Sequence, residues 1–354
     1  MKILLFGEFS GLHNNLKDGL RELGHDVTLA SGSDGFKQLP NDINLDSNLS
    51  GIMGKLDTRA KPFLNLPKLS GFDVVQIINP FYPNAKLFPK EFFYKLLKKL
   101  NGKFFVLGAG SDAFYWKYSR ERLDFGPFED SLKYDLKTDR YYMEDDSAFE
   151  YNKRIVETSD GLIPILYEYE IGYRDCQKRL NTIPLPMNTK AIEFSHNVPS
   201  SRIAIFHALT RYGFKGTRHV EEAFEVLNKK YPNDLDCYID GHRPINEYLG
   251  LMRKANVILD QVNSPSIAMN GLYALAMGKV VMGGAEEKGL KSLGIDKTPV
   301  IGLKPDKDVI IDRIKRLLDE RDSIPSLGVA GREFVKEHHC HIKIAKRYIE
   351  TWTG

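Results

Sequence analysis

The stretch Ile203-Ala-Ile-Phe-His207-Ala-Leu-Thr-Arg211-Tyr-Gly-Phe-Lys215-Gly216-Thr217 decides how this chain reads. Its apolar start predicts a buried strand, and Thr217 opens a helix. Between them lie two cations and a glycine. Arg211 offers a planar fork, Lys215 a point charge, and the helix start unpaired backbone N–H groups, so the loop reads as a diphosphate cradle. A plain strand-to-helix turn with two solvated cations is the alternative.

Working outward, strands and helices alternate. Leu235–Ile239 predicts a strand ending in Asp240-Gly241-His242, and Ile245 to Lys254 has helical period with Tyr248, Leu249 and Met252 on one face. Ala255–Asp260 is a short buried strand, followed by a loop from Gln261 to Ala268. A helix from Met269 stops at Gly278, and Val280–Met282 is a further strand. Alternation of this kind implies a parallel sheet, whose ligands sit at the carboxyl ends of its strands. His242, at such an end, reads either as a contact to a base or phosphate or as a polar turn residue.

The segments His207 to Thr217 and Asp260 to Val281 resemble the carboxy-terminal, nucleotide-sugar-binding domain of retaining glycosyltransferases of family 4, which have the GT-B fold. Asn270-Gly-Leu-Tyr273-Ala-Leu-Ala-Met277-Gly-Lys-Val-Val281 looks like that family's donor helix and following strand, and Gly331 to Trp352 is similar to its closing helices. The resemblance implies an α/β chain with two Rossmann-like domains facing each other across a cleft. It implies that Arg211 and Lys215 bind the donor diphosphate, with His207, Gly216, Ala268, Met269, Asn270, Gly271 and Tyr273 also on the donor side. Two departures stand out: the family keeps glutamates where this chain has Pro265 and Tyr273. A phenol offers one hydroxyl where a carboxylate accepts two hydrogen bonds.

With 354 residues the chain is long enough for two α/β domains. The expected boundaries are 1–190 for an acceptor domain and 200–335 for the donor domain, the segment 341–354 packing back on the first. A net charge of +3, with acidic and basic residues interspersed, argues against a nucleic-acid partner. Three cysteines without metal-ligand spacing read as reduced thiols in a cytoplasmic protein. Met1–Phe6 reads as a strand rather than a signal-peptide core, and no run approaches the ~20 apolar residues that span a bilayer.

The amino-terminal half begins strand, glycine loop, helix, strand: Lys2–Phe6, Gly7–Gly11, His13–Leu23 and Asp26–Ala30. Gly7 and Gly11 alone do not make a dinucleotide fingerprint. Strands are expected at 74–78, 103–107, 161–165 and 182–186. The loop Gly108–Asp112 admits two readings, an acceptor pocket using Ser111 and Asp112 or a cap on the next helix. His13 likewise either faces an acceptor or sits on the surface.

Residues 113 to 155 have no clean period, and their aromatics either line a sugar site or pack an irregular insertion. Phe88 to Leu100 reads as a sheet-covering helix or a peripheral helix at the inner face of a membrane. His338-His339-Cys340-His341 has the composition of a metal site but lacks a carboxylate partner set. Asp234-Leu235-Asp236 stands at the wrong end of its strand for a metal–diphosphate site.

Together these features point to a metal-independent transferase without a cofactor, which moves a sugar from a nucleoside diphosphate sugar to a glycan or lipid-linked acceptor in polysaccharide synthesis; the resemblance alone implies that it retains configuration. The alternative is a degenerate relative that binds nucleotide, glycan or partner without turnover.

Overall fold

The computed structural model describes residues 1–83, 88–128, 130, 144–209 and 211–354. These fall into two compact units. One comprises the described residues within Met1–Glu121, Tyr142–Pro186 and His341–Gly354, the other those within Arg122–Tyr141 and Met187–Cys340. Each unit is built on one parallel sheet.

In the first unit, β1 (Lys2–Phe6), β2 (Asp26–Ser31), β3 (Ile43–Asn44), β4 (Val74–Ile77), β5 (Lys103–Gly108) and β6 (Gly161–Pro164) lie in the order β3-β2-β1-β4-β5-β6. Register runs from Lys2 opposite Asp26 and from Ile3 opposite Val74. Ile3, Leu4, Leu5 and Phe6 are all fully buried, which requires cover on both faces and explains an unbroken apolar run in place of alternation. On one face Leu4 and Phe6 pack with Phe93, Tyr94 and Leu97 of α3 (Lys90–Lys99). Elsewhere, α1 (Leu12–Glu22) meets the terminal helix His341–Thr353 at Gly19, where a Cβ would stand 2.3 Å from the His341 carbonyl oxygen. Trp352 of that helix is fully buried and its Nε1–H donates to Gln76 Oε1 on β4 at 3.3 Å.

In the second unit, β7 (Ile203–Leu209), β8 (Leu235–Gly241), β9 (Val257–Leu259), β10 (Val280–Gly283) and β11 (Ile301–Gly302) take the order β11-β10-β9-β7-β8. Here Ile203 lies opposite Leu235 and His207 opposite Leu259. Amphipathic helices Thr217–Lys230 and Lys307–Asp319 bury Val220, Phe224, Leu227, Ile310, Ile314 and Leu317 against one face.

One expected strand is absent. Thr182 to Pro186 is extended but joins no ladder, because Pro184 and Pro186 have no N–H to donate, and Ile183 makes a single bond to the Pro164 carbonyl at 3.0 Å. In the stretch read as an irregular insertion, 129 and 131–143 lie outside the described residues. Its described aromatics pack together: Phe114 stacks on Phe149 at 4.6 Å and on Tyr173 at 4.7 Å between ring centroids. The three cysteines are free thiols. Among the described residues no helix is long and apolar enough to cross a membrane.

Candidate functional site

In an open parallel sheet, ligands bind outside the carboxyl ends of the strands where the strand order reverses. In the second unit the reversal lies between β7 and β9. The two loops that leave these strands meet around one buried carboxylate. Asp260, directly after β9, is fully buried; its Oδ1 accepts from Lys215 Nζ at 3.3 Å and from Asn270 Nδ2 at 2.9 Å, and its Oδ2 accepts from the Ala268 N–H at 3.1 Å. Lys215 ends the loop after β7. Ala268 and Asn270 flank the start of the helix Met269–Ala276. One acid therefore locks the cation of the first loop beside the amino end of this helix.

Close approach makes the arrangement possible. Gly216, at φ +74°, would carry a Cβ 2.4 Å from Val262 Cγ2, so only glycine lets the two loops touch there. A Cβ on Gly271 would meet Asp260 Oδ2 at 3.1 Å. Asn263 bonds the Gly213 carbonyl at 3.2 Å and Asp130 Oδ2 at 2.9 Å, and Asp130 Oδ1 accepts from Arg218 Nη2 at 3.3 Å. Asp130 thus belongs with the second unit although it lies inside the range 1–190 expected for the first.

The other donor-side residues separate into two groups. Arg211 is exposed, with its guanidinium 3.7 Å above the Phe214 ring centroid, and His242 is exposed at the end of β8 with φ +56°. Met269 and Tyr273 are buried on their helix. His207 is bonded internally on both ring nitrogens. It is fully buried, its Nδ1–H donates to the Leu259 carbonyl at 3.0 Å, and its Nε2 accepts from Thr217 Oγ1 at 3.0 Å. Burial, then the Lys215 charge, pushes its pKa down to about 3, so the ring is neutral and serves to anchor the first helical turn to the sheet.

In the first unit the reversal lies between β1 and β4, and the chain fills it with its own groups. Glu8, buried in the glycine loop, accepts from the N–H groups of Gly11, His13 and Asn14 at 3.0, 3.3 and 2.8 Å and from Asn14 Nδ2 at 2.8 Å. An internal carboxylate thus occupies the anion site at the start of α1. Burial nevertheless raises its pKa to about 7. Gly7 and Gly11 adopt positive φ in this loop, and Gly110 meets it edge on, since a Cβ there would lie 2.8 Å from Phe9 Cε2.

Two of the acceptor-side candidates are buried and bonded within the unit. His13 is fully buried, its Nδ1–H donating to the Gly7 carbonyl at 2.6 Å and its Nε2 accepting from Gln76 Nε2 at 3.2 Å, and burial lowers its pKa to about 4. Asp112 is also fully buried and acts as the cap: Oδ1 accepts from the Tyr115 N–H at 2.8 Å and Oδ2 from the Tyr173 hydroxyl at 2.9 Å. Burial raises its pKa to about 7. Of that loop, Ser111 alone keeps a partly exposed side chain beside Gly110. The histidine-rich run 338–341 resolves similarly, with His341 Nε2 placed 2.8 Å from Glu22 Oε1. No group of three or more potential ligands able to hold a metal occurs among the described residues.

No family model matches the sequence. No curated protein matches it either. Solved structures do. Sucrose-phosphate synthase from Thermosynechococcus elongatus is similar with a TM-score of 0.66 and 15% identity, over 100% of this chain and 98% of that one. HepE from Anabaena, in complex with UDP and glucose, gives 0.61 and 11% over 100% and 99%. A glycosyltransferase from Rickettsia africae gives 0.56 and 15% over 99% and 97%. This chain has the GT-B fold.

Within that GT-B frame, the residues missing from the sequence reading are acids. Asp260 was legible only as the end of a strand. Glu8, between two glycines at a strand end, carried a usable signal, since a carboxylate just before a helix start is a ready cap. Asp130 carried none, lying far along the chain from Arg218 and Asn263.

Proposed function

We propose that this protein is a glycosyltransferase that moves a sugar from a nucleoside diphosphate sugar to a glycan or lipid-linked acceptor bound by the first unit. One observation carries the reading: at the strand reversal of the second sheet, Asp260 holds Lys215 against the amino end of the helix Met269–Ala276. A cation beside a helix start favours a phosphate twice, by charge and by N–H groups aimed outward. The HepE complex with UDP and glucose makes a uridine diphosphate sugar the first donor to test.

As the glycosidic bond breaks, negative charge gathers on the leaving diphosphate. Lys215 is aimed by its bond to Asp260, and the first-turn amides at Met269, Asn270 and Gly271 supply positive dipole ends that need no reorganisation. Asp260 also offsets part of the lysine's charge, so Arg211, reaching from the exposed loop, carries a larger share than the loop sequence suggests. In this reading Tyr273 stands beside the ribose, the reaction retains configuration, and protein cations do the work that a metal would otherwise do. Pro265 and Tyr273, in place of two carboxylates, favour the second reading, a protein that binds the nucleotide without turnover.

A thermal-shift panel of UDP-, GDP- and ADP-sugars followed by calorimetry tests the proposal. Arg211→Ala or Lys215→Ala should each weaken nucleoside diphosphate binding about tenfold or more. Unchanged affinity in both variants would overturn it. Binding without release of nucleotide diphosphate in the presence of acceptor would select the second reading.

A further inference from the structure

The helix α2 (Gly51–Leu64) presents its apolar residues to solvent. Ile52 is 76% exposed, Met53 64%, Leu56 50% and Leu64 73%, and Phe92 of the neighbouring α3 is 63% exposed. On a helical projection Ile52, Leu56, Ala60, Met53 and Leu64 fall within one third of the circumference. Gly54 and Pro62, which are buried, lie on the opposite side. Phe63 joins the two helices, its ring 6.2 Å from that of Phe92 and 5.3 Å from that of Phe93. The outward stripe is therefore not a misplaced core face. The inward face is already packed, and the stripe is additional.

Charge says what covers it. The carboxylates on the two helices are already paired, Asp57 with Lys61 and Glu91 with Lys95 and Arg154. Lys55 and Arg59 border the stripe on α2 and Lys99 ends α3, and none of the three makes an ion pair with a described residue. An apolar ridge on a convex helix, rimmed by cations whose charge no carboxylate offsets, matches the interface of an anionic bilayer, where side chains enter the acyl boundary and ammonium and guanidinium groups meet headgroup phosphates. A protein partner would instead have to supply both an apolar groove and its own excess of acid.

We infer that the face formed by α2 and the exposed side of α3 docks on anionic phospholipid membranes, with Ile52, Met53, Leu56, Leu64 and Phe92 inserted and Lys55, Arg59 and Lys99 at the headgroups. It moves the membrane contact expected from Phe88 to Leu100 chiefly onto α2, since Phe93, Tyr94 and Leu97 are committed to the core. The inference goes beyond the transferase reading, and its test uses no activity.

The full chain is sedimented with vesicles of phosphatidylcholine alone and of phosphatidylcholine mixed with phosphatidylglycerol. Binding to the mixed vesicles alone, weakened by salt, is the expected result. Ile52→Asp combined with Leu56→Asp should reduce the partition coefficient by about tenfold or more, since both inserted side chains become charged. Lys55→Glu combined with Arg59→Glu should remove the preference for anionic lipid while shifting the melting temperature little, since Lys55 is exposed and Arg59 only half-buried. Failure to sediment with either vesicle, or binding indifferent to both pairs of substitutions, would overturn the inference. So would light scattering that shows a dimer which the Ile52→Asp, Leu56→Asp protein no longer forms, because the stripe would then be covered by a second copy.

Discussion

Replacing Lys215 by methionine tests the centre of the second unit without the nucleotide. The substitution keeps the length of the stem and removes the ammonium. Its partner Asp260 has a side chain 0% exposed, against 11% for Lys215, so the carboxylate cannot turn to water. It keeps two donors, the Ala268 N–H at 3.1 Å and Asn270 Nδ2 at 2.9 Å. Removing one member of a buried pair costs about 3–5 kcal/mol. The surviving hydrogen bonds place the expected loss at the lower end, about 3 kcal/mol, which for a unit of this size lowers the melting temperature by roughly 6–12 °C. Urea unfolding and calorimetry at neutral pH read both quantities. Adding Asp260→Asn should restore most of the loss, because the uncompensated charge goes with it. A Lys215→Met protein within about 0.5 kcal/mol of the parent, or a double variant no more stable than the single one, would refute the reasoning.

Three further outcomes follow from the geometry. His207 titrates at about 3 when folded, against 6.5 for an ordinary imidazole, so its stabilising share is complete above about pH 6.5 and is lost by about 1.4 kcal/mol per pH unit as pH falls toward 3; His207→Gln should flatten the acid limb of the stability profile by that slope. Gly216→Ala forces a side chain into a left-handed position 2.4 Å from Val262, and chemical denaturation should show a loss of roughly 2–4 kcal/mol. Transfer activity should survive EDTA, and an enzyme silenced by chelation and revived by magnesium or manganese would contradict the assignment of the diphosphate charge to Arg211 and Lys215.

Where the sequence was legible, a strong period met a clear stop. The helix Ile245–Lys254 and the strands at Lys2, Val74 and Val280 stand where apolar spacing places them, each bounded by glycine, proline or a polar turn. Strands of two residues such as Ile43–Asn44 and Ile301–Gly302 have no period to read. Histidines are ambiguous in sequence for a physical reason. A neutral imidazole with a carbonyl at one nitrogen and a donor at the other is at home in a core, and nothing local distinguishes His13 or His207 from a ligand. The stripe on α2 was invisible for the opposite reason. An apolar face at helical spacing reads as buried, and only the packing of Gly54 and Pro62 shows which side points inward.

Met187 and Cys340 pair in a parallel bridge, and the Met187 N–H reaches the His339 carbonyl at 2.7 Å. The long segment of the second unit therefore enters and leaves at neighbouring points, one strand spacing or about 5 Å apart. In genetic terms it is a cassette nested in the first unit. A linker of a few residues joining Pro186 to His341 would close the host chain, and residues 187–340 form a contiguous reading frame that lacks only the stretch around Asp130. The two halves can then be expressed as separate polypeptides and the unfolding of each followed on its own.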